Sequence, residues 1–293
     1  MIALTRENRD VKHQASLVFM AFRQNNLAGA IKLVWPVLMR RIKEVSRWVL
    51  GFTNFCSARR RLIREFFSRT LIRISEPTPS TIGNYAAYID MLTPDSVVYS
   101  FGIGGDIRFD ATLADVVACP IHLFDPTPRS AQFMTRHENQ ALLRFYPWGL
   151  WIENGPTRFF SDVTLMKSST GTVVHEYRSG SITNLTGAEE WFEAECLTLQ
   201  SIMKRLGHHH IDLLKMDIEG AALDVMESLL ETTIRPKQIV VEFEAPHTLS
   251  DLKVFLTRLE VLMTSMIDNG YRLHVFDRGK IHIESIELLA VCM

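Results

Sequence analysis

The chain has 293 residues, 47% of them apolar and 22% charged, which is enough to bury one large core and is incompatible with a disordered protein. Its net charge of −1 conceals a division: residues 1–75 carry 15 Lys and Arg against 4 Asp and Glu, and residues 76–293 carry 17 against 29. No uncharged run reaches the roughly twenty residues that span a bilayer, and cysteines at 56, 119, 196 and 292 have neither metal-ligand nor disulfide-framework spacing, which points to a reduced, cytoplasmic setting.

Residues 1–75 read as a basic helical extension. Ile31-Lys32-Leu33-Val34-Trp35-Pro36 and the residues after it, to Val45, mix apolar and basic positions at helical spacing, with Pro36 as a kink or start. The apolar residues 15–22 are followed by Arg23 and asparagines, which fit a signal peptide poorly. Trp48-Val49-Leu50-Gly51-Phe52 followed by Arg59-Arg60-Arg61 suits peripheral contact with an anionic membrane or an acidic partner. The reading the pattern favours over this is a basic helical cap packed on the acidic remainder. No zinc-finger or helix-turn-helix signature supports specific nucleic-acid binding.

Glu76-Pro77-Thr78-Pro79-Ser80 reads as the linker to a main domain over residues 76–293. Strands and helices then alternate: strand 97–101, helix 110–118, strand 121–124, helix 127–138 and strand 141–145. Residues 147–186 read as irregular. After them come helix 196–206, strand 211–216, helix 220–230, strand 238–243 and helix 249–269. Two apolar strands, 271–276 and 281–291, follow, joined by Asp277-Arg278-Gly279-Lys280. This order predicts an α/β, Rossmann-like sheet, mostly parallel and closed by an antiparallel C-terminal hairpin.

Open α/β sheets bind ligands at strand ends where the strand order reverses. The strand Val97-Val98-Tyr99-Ser100-Phe101 opens into Gly102, Gly104 and Gly105, whose backbone can approach a ligand without Cβ interference. A dinucleotide fingerprint needs a third glycine where Ile107 stands, which disfavours a nicotinamide enzyme. Asp125 ends the next strand, suited to a ribose diol, and Phe145-Tyr146-Pro147-Trp148-Gly149 is aromatic enough to sandwich an adenine. Asp217 and Glu219 follow the fourth strand, and Glu242, Glu244 and His247 the fifth, an acidic rim whose self-repulsion calls for a function. His208-His209-His210 are adjacent in a loop and read as solvated rather than as a metal site.

These residues resemble the FkbM family of S-adenosylmethionine-dependent methyltransferases over about residues 95–292. The resemblance is carried by Val98-Tyr99-Ser100-Phe101-Gly102-Ile103-Gly104-Gly105-Asp106, Phe124-Asp125-Pro126-Thr127, Thr198-Leu199-Gln200-Ser201-Ile202, Ile211-Asp212-Leu213-Leu214-Lys215-Met216-Asp217-Ile218-Glu219-Gly220 and Val240-Val241-Glu242-Phe243-Glu244. It implies a class I methyltransferase fold, a seven-stranded sheet with its last strand antiparallel, and transfer of a methyl group from S-adenosylmethionine, usually to oxygen. Carried over to this chain, Phe101, Gly102, Gly104, Gly105 and Asp106 would hold the methionine portion, Asp125 and Pro126 the ribose, and Trp148 the adenine. Two positions depart from the family pattern: Ser100 stands where many members carry an acid, with Asp106 as the substitute charge, and Ala221 stands where an acid or Ser is common.

Methyl transfer is an in-line displacement that the protein mainly aligns, yet a sugar or aliphatic hydroxyl must also lose its proton. Asp217 is the first candidate base by position, with Glu219 and His247 as alternatives. A divalent ion bridging Asp217 with Glu242 or Glu244 is a further alternative, and oxygen ligands would suit magnesium. The expected acceptor is a saccharide, glycan or small metabolite; the other reading is a methyltransferase-fold protein that binds without turnover. Trp151, Arg158, Phe159 and Phe160 are candidates to shape the acceptor pocket.

Overall fold

A computed structural model describes residues 56–66, 79–137, 140–161, 163–167, 173–177, 180–184, 188–275 and 285–292. Most of the basic extension, including Trp48 and its neighbours, lies outside the described residues, as do 76–78 of the linker and the 277–280 turn. The chain divides into two units, Met1–Ala58 and Arg59–Met293, and the described structure falls almost wholly in the second.

Seven strands form the central sheet: β3 (Val98–Phe101), β4 (Ile121–Phe124), β5 (Leu143–Tyr146), β11 (Leu213–Met216), β12 (Gln238–Glu244), β13 (Tyr271–Val275) and β14 (Ser285–Cys292). Their spatial order is β13-β14-β12-β11-β3-β4-β5, with β14 antiparallel to both its neighbours and the pairs from β12 to β5 parallel. This is the arrangement that the sequence resemblance implies. Strands β3, β4 and β11 are buried at every residue, which explains why they read as mainly apolar runs rather than alternating ones, with Ser100, His122 and Lys215 as the buried polar exceptions.

Helices cover both faces. Leu113 and Val117 of α1 (Arg108–Val117) pack with Val98, Ile121, Leu123, Leu213 and Val240 on one face. On the other, residues of α3 (Leu199–Leu206), α4 (Ala222–Glu231) and α5 (Leu249–Asp268) pack with Phe101, Phe124, Leu214, Met216 and Val241. Ile63 and Phe66, from the helical stretch 56–66, belong to this second core, both 0% exposed. Thr198 caps α3, accepting from Ser201 N, and the shorter α2 (Pro128–Met134) is capped by Thr127 with Pro128 in its first turn.

Two features differ from the sequence expectation. A hairpin of β1 (Ser80–Ile82) and β2 (Tyr85–Ala87) begins at the last residue read as linker. The region read as irregular forms β6 (Gly149–Leu150), β7 (Gly155–Phe160), β8 (Val163–Lys167) and β9 (Val173–Tyr177), and β10 (Trp191–Leu197) follows it. They make a three-stranded sheet, β6-β10-β7, and a separate β8–β9 pair. Alternation of covered and exposed residues along β7 and β10 is the period-2 pattern of strands with one face covered; in β10 it is carried by Phe192, Ala194 and Cys196 against Glu193 and Glu195 and is visible in the sequence, whereas Gly155, Pro156, Thr157 and Arg158 of β7 leave little hydrophobic signal.

Candidate active site

Strand order reverses between β3 and β11, so the loops leaving these two neighbours flank a cleft. Phe101 and Met216 are in register, and the chains then come so close that a Cβ on Gly102 would stand 1.6 Å from the Asp217 carbonyl oxygen. Gly102, at φ 74°, is therefore required by backbone approach as well as by its left-handed conformation. Gly104 differs: at φ 52° it has nothing within 4 Å of where a Cβ would stand.

Beyond these loops lies a cavity of about 450 Å³. It is lined by Phe101, Gly102, Gly104, Gly105, Asp106, Asp125, Pro126 and Trp148, and by Asp217 and Glu219 from the opposite loop. Its remaining walls include Phe159, Gly180 and Ile182 from the smaller sheet region, and Arg129 of α2. His247 does not line it and is exposed.

The Asp125 carboxylate is already well used. One oxygen accepts from Gly104 N at 2.9 Å; the other accepts from Thr127 N at 2.8 Å and the Thr127 hydroxyl at 2.5 Å. The Ser130 hydroxyl in turn donates to Gly104 O at 2.8 Å. Asp125 thus fastens the glycine loop to the start of α2, and of the roughly four lone-pair sites on a carboxylate about one remains for a ligand. Trp148 continues an aromatic stack, 5.1 Å from Tyr146 and 6.4 Å from Phe124 between ring centroids. The Arg205 guanidinium lies 5.3 Å over its ring.

The expected substitute for the acid missing at Ser100 is not the nearest one. Asp106 faces solvent and pairs with Arg108 at 2.6 Å, which holds its carboxyl below the ordinary range. Asp110, 1% exposed, lies instead beneath the loop close to Ser100 and Lys215. Neither its oxygens nor the Ser100 hydroxyl completes a hydrogen bond of normal geometry, and burial, opposed by the Lys215 charge and the nearby hydroxyl, pushes its pKa up. The signal available in the sequence was a lysine in an otherwise apolar strand.

The acid rim is strongly coupled. Glu219 adopts φ 46°, unusual for a residue with a side chain, and its carbonyl accepts from the Ser181 hydroxyl. Gly220 N donates to Glu244 Oε2 at 2.5 Å. Glu219 is exposed as a residue, yet enclosure of its carboxyl and then the charges of Asp217, Glu242 and Asp125 push its pKa to about 7; the upward direction is what crowded carboxylates require. Burial foremost, then Asp217, pushes Glu244 to about 8, and burial also raises Glu242. The Asp217 carboxylate accepts from the Tyr85 hydroxyl at 2.7 Å. Tyr85 comes from the hairpin that the sequence did not reveal.

The family described as the methyltransferase FkbM domain matches residues 98–273, more than half of the chain. The chain belongs to the FkbM methyltransferase family. It is a S-adenosylmethionine-dependent methyltransferase of class I architecture. Among curated protein sequences none matches it. Solved structures similar to it include the fibrillarin pre-rRNA processing protein of Methanococcus jannaschii, at 8% identity over 68% of this chain and 67% of that chain, with a TM-score of 0.39. Fibrillarin of Aeropyrum pernix, in complex with natively bound S-adenosyl-L-methionine, matches at 11% identity over 69% and 68%, with a TM-score of 0.38. Human methyltransferase 10 domain containing protein matches at 10% identity over 80% and 81%, with a TM-score of 0.34. These are distant likenesses.

The cavity of this FkbM methyltransferase fits its cofactor: the open space at Gly104 is a cradle that any Cβ would fill, and aromatic and acidic groups share the same walls. Magnesium fits less well. Among the described residues no three His, Cys, Asp or Glu side chains converge as a metal site, and Tyr85 engages Asp217 while Gly220 N engages Glu244. Of the acceptor candidates, Phe159 lines the cavity, Arg158 lies 4.4 Å over the Trp191 ring, and Trp151 lines a separate cleft beside α3 and α4. The histidine run also divides: His208 is half-buried with Nδ1 2.7 Å from the Tyr99 hydroxyl, whereas His210 is 3.2 Å from Asp212. All four cysteines are free thiols.

Proposed function

We propose that this FkbM methyltransferase methylates a hydroxyl oxygen of a saccharide, glycan or small metabolite, with Glu219 as the general base. S-Adenosylmethionine, when bound, supplies an electrophilic methyl group and leaves as a neutral thioether. The glycine loop and Asp125 would hold the methionine and ribose portions, and Trp148 would flank the adenine. The acceptor oxygen forms its bond to the methyl carbon as the carbon–sulfur bond breaks, and its proton passes to a Glu219 carboxylate oxygen.

The observation that carries this reading is the state of Glu219. Asp217 has the better strand-end position, but one of its oxygens is held by Tyr85. Glu219 lines the same cavity, its carboxylate accepts no hydrogen bond among the described residues, and its pKa of about 7 matches a base working near neutrality. His247, outside the lining, has no comparable claim.

The test is formation of S-adenosylhomocysteine against a panel of sugars, glycans and hydroxylated metabolites. Turnover with at least one of them, lost in Glu219→Gln, supports the proposal; cofactor binding with no turnover across hydroxyl acceptors favours a binding role. The excess of Lys and Arg in residues 1–75 supports, separately, peripheral attachment to an anionic membrane or acidic partner. The free thiols are in keeping with a cytoplasmic location.

A further inference from the structure

Tyr85 stands at a junction. Its hydroxyl is 2.7 Å from Asp217 Oδ2 and 3.3 Å from Glu242 Oε2, so a single proton faces carboxylates from two different strand ends. The Lys215 ammonium lies 4.9 Å from the centre of its ring, and the ring of Phe109 meets it edge-on at 5.5 Å. Lys215 Nζ also donates to Gly102 O at 3.1 Å. A continuous set of contacts therefore runs from the glycine loop through Lys215 and Tyr85 to the acid rim.

Resting on the functional reading above, we propose that Tyr85 is a positioning residue for the reaction: its hydroxyl engages Asp217 and Glu242, leaving Glu219 as the carboxylate that receives the acceptor proton. Burial, reinforced by these acids, keeps the phenol protonated far above the ordinary tyrosine range, so it acts as a permanent donor. The positive end of its O–H dipole damps two charges that Glu219 feels. Glu219 is faced by Asp217 from the end of β11, by Glu242 and Glu244 from β12, and by Asp125 from the end of β4. The charge of Glu287, from β14, acts on Tyr85 and Glu242.

Tyr85→Phe removes the hydroxyl and keeps the ring. The decisive measurement is a carbon-13 titration of the Glu219 carboxyl in the full chain labelled at glutamate, with the resonance assigned by its loss in Glu219→Gln. The expected result is a midpoint that rises by about half a unit or more in Tyr85→Phe, because Asp217 and Glu242 then repel Glu219 undamped. A purely structural loss is controlled by Tyr88→Phe, which deletes a hydroxyl 2.5 Å from His274 instead of one beside the acids, and which should leave the Glu219 midpoint in place. An unmoved midpoint in Tyr85→Phe, or an equal rise in both variants, overturns the proposal. Calorimetry with S-adenosylmethionine on the same samples should show affinity within about twofold of the parent in Tyr85→Phe. Absence of binding to the parent chain would remove the functional reading itself, whereas an unmoved Glu219 midpoint in protein that binds the cofactor removes only the role of Tyr85.

Discussion

A carboxyl group with a pKa of about 7 is half ionised at neutrality, and only the ionised half can accept a proton. The rate with a hydroxyl acceptor should therefore rise with pH through about 7 and fall away below it, as a pH–rate profile would show. Glu219→Gln should lower turnover by roughly 10²- to 10⁴-fold while cofactor affinity changes little, in steady-state kinetics paired with calorimetry. The acid rim has a cost in stability with a definite sign. Glu244 is raised from the usual 4.5 to about 8, so the folded state holds a proton that the unfolded state has lost, and stability falls as pH rises between those values. Glu244→Gln keeps an acceptor for Gly220 N and removes the charge. It should raise the melting temperature relative to the parent at about pH 9 and match it closely near pH 5, where both forms are neutral. At this scale the sequence showed which acids gather at the strand ends, because loop position follows from strand order. It did not show which acid is free, since Tyr85 and Gly220 N take up their partners through tertiary contacts.

The glycine loop works as one element with the start of α2, joined by Asp125, Thr127 and Ser130. Asp125→Ala should weaken S-adenosylmethionine by about ten- to a hundredfold in calorimetry, from loss of a charge-assisted acceptor together with a loosened loop. Asp125→Asn, which keeps an acceptor oxygen toward Gly104 N, should lose less. The smaller sheet is a different matter, since Phe160 pairs with Ser181 across the base of the β8–β9 pair. Replacing residues 162–179 by a two-glycine turn should preserve cofactor affinity and, because the segment joins Phe160 to Ser181 next to the cavity-lining Phe159, Gly180 and Ile182, change which acceptors react. Strands such as β3, β4 and β11 were legible because burial on both faces demands mainly apolar runs, here interrupted once each by Ser100, His122 and Lys215. The β1–β2 hairpin was not, since three-residue strands give the hydrophobic pattern little to record, nor was β7, which opens Gly-Pro-Thr-Arg; in β10 the alternation of Phe192, Ala194 and Cys196 with Glu193 and Glu195 was there to read.

Across the whole molecule, the sequence placed a boundary near residue 76 by its prolines, while packing divides the chain after Ala58. Arg59 donates to Ala245 O at 2.9 Å, and Ile63 and Phe66 are fully buried, so these residues belong with the catalytic unit. Each large core side chain removed costs about 2–5 kcal/mol. A chain beginning at Arg59 should melt cooperatively near the full-length temperature, and one beginning at Glu76 well below it. Sedimentation with anionic liposomes should decline with salt for the full chain if its basic extension meets a membrane, since exposed charges are screened beyond about 8 Å at physiological ionic strength. The central claim, that the cavity between the glycine loop and the acid rim seats the cofactor, is tested most directly by titrating S-adenosylmethionine into the full chain and into Gly104→Val. One-to-one binding by the parent and its loss in the folded variant is the predicted result; equal affinity in both, or no binding by the parent, would contradict it.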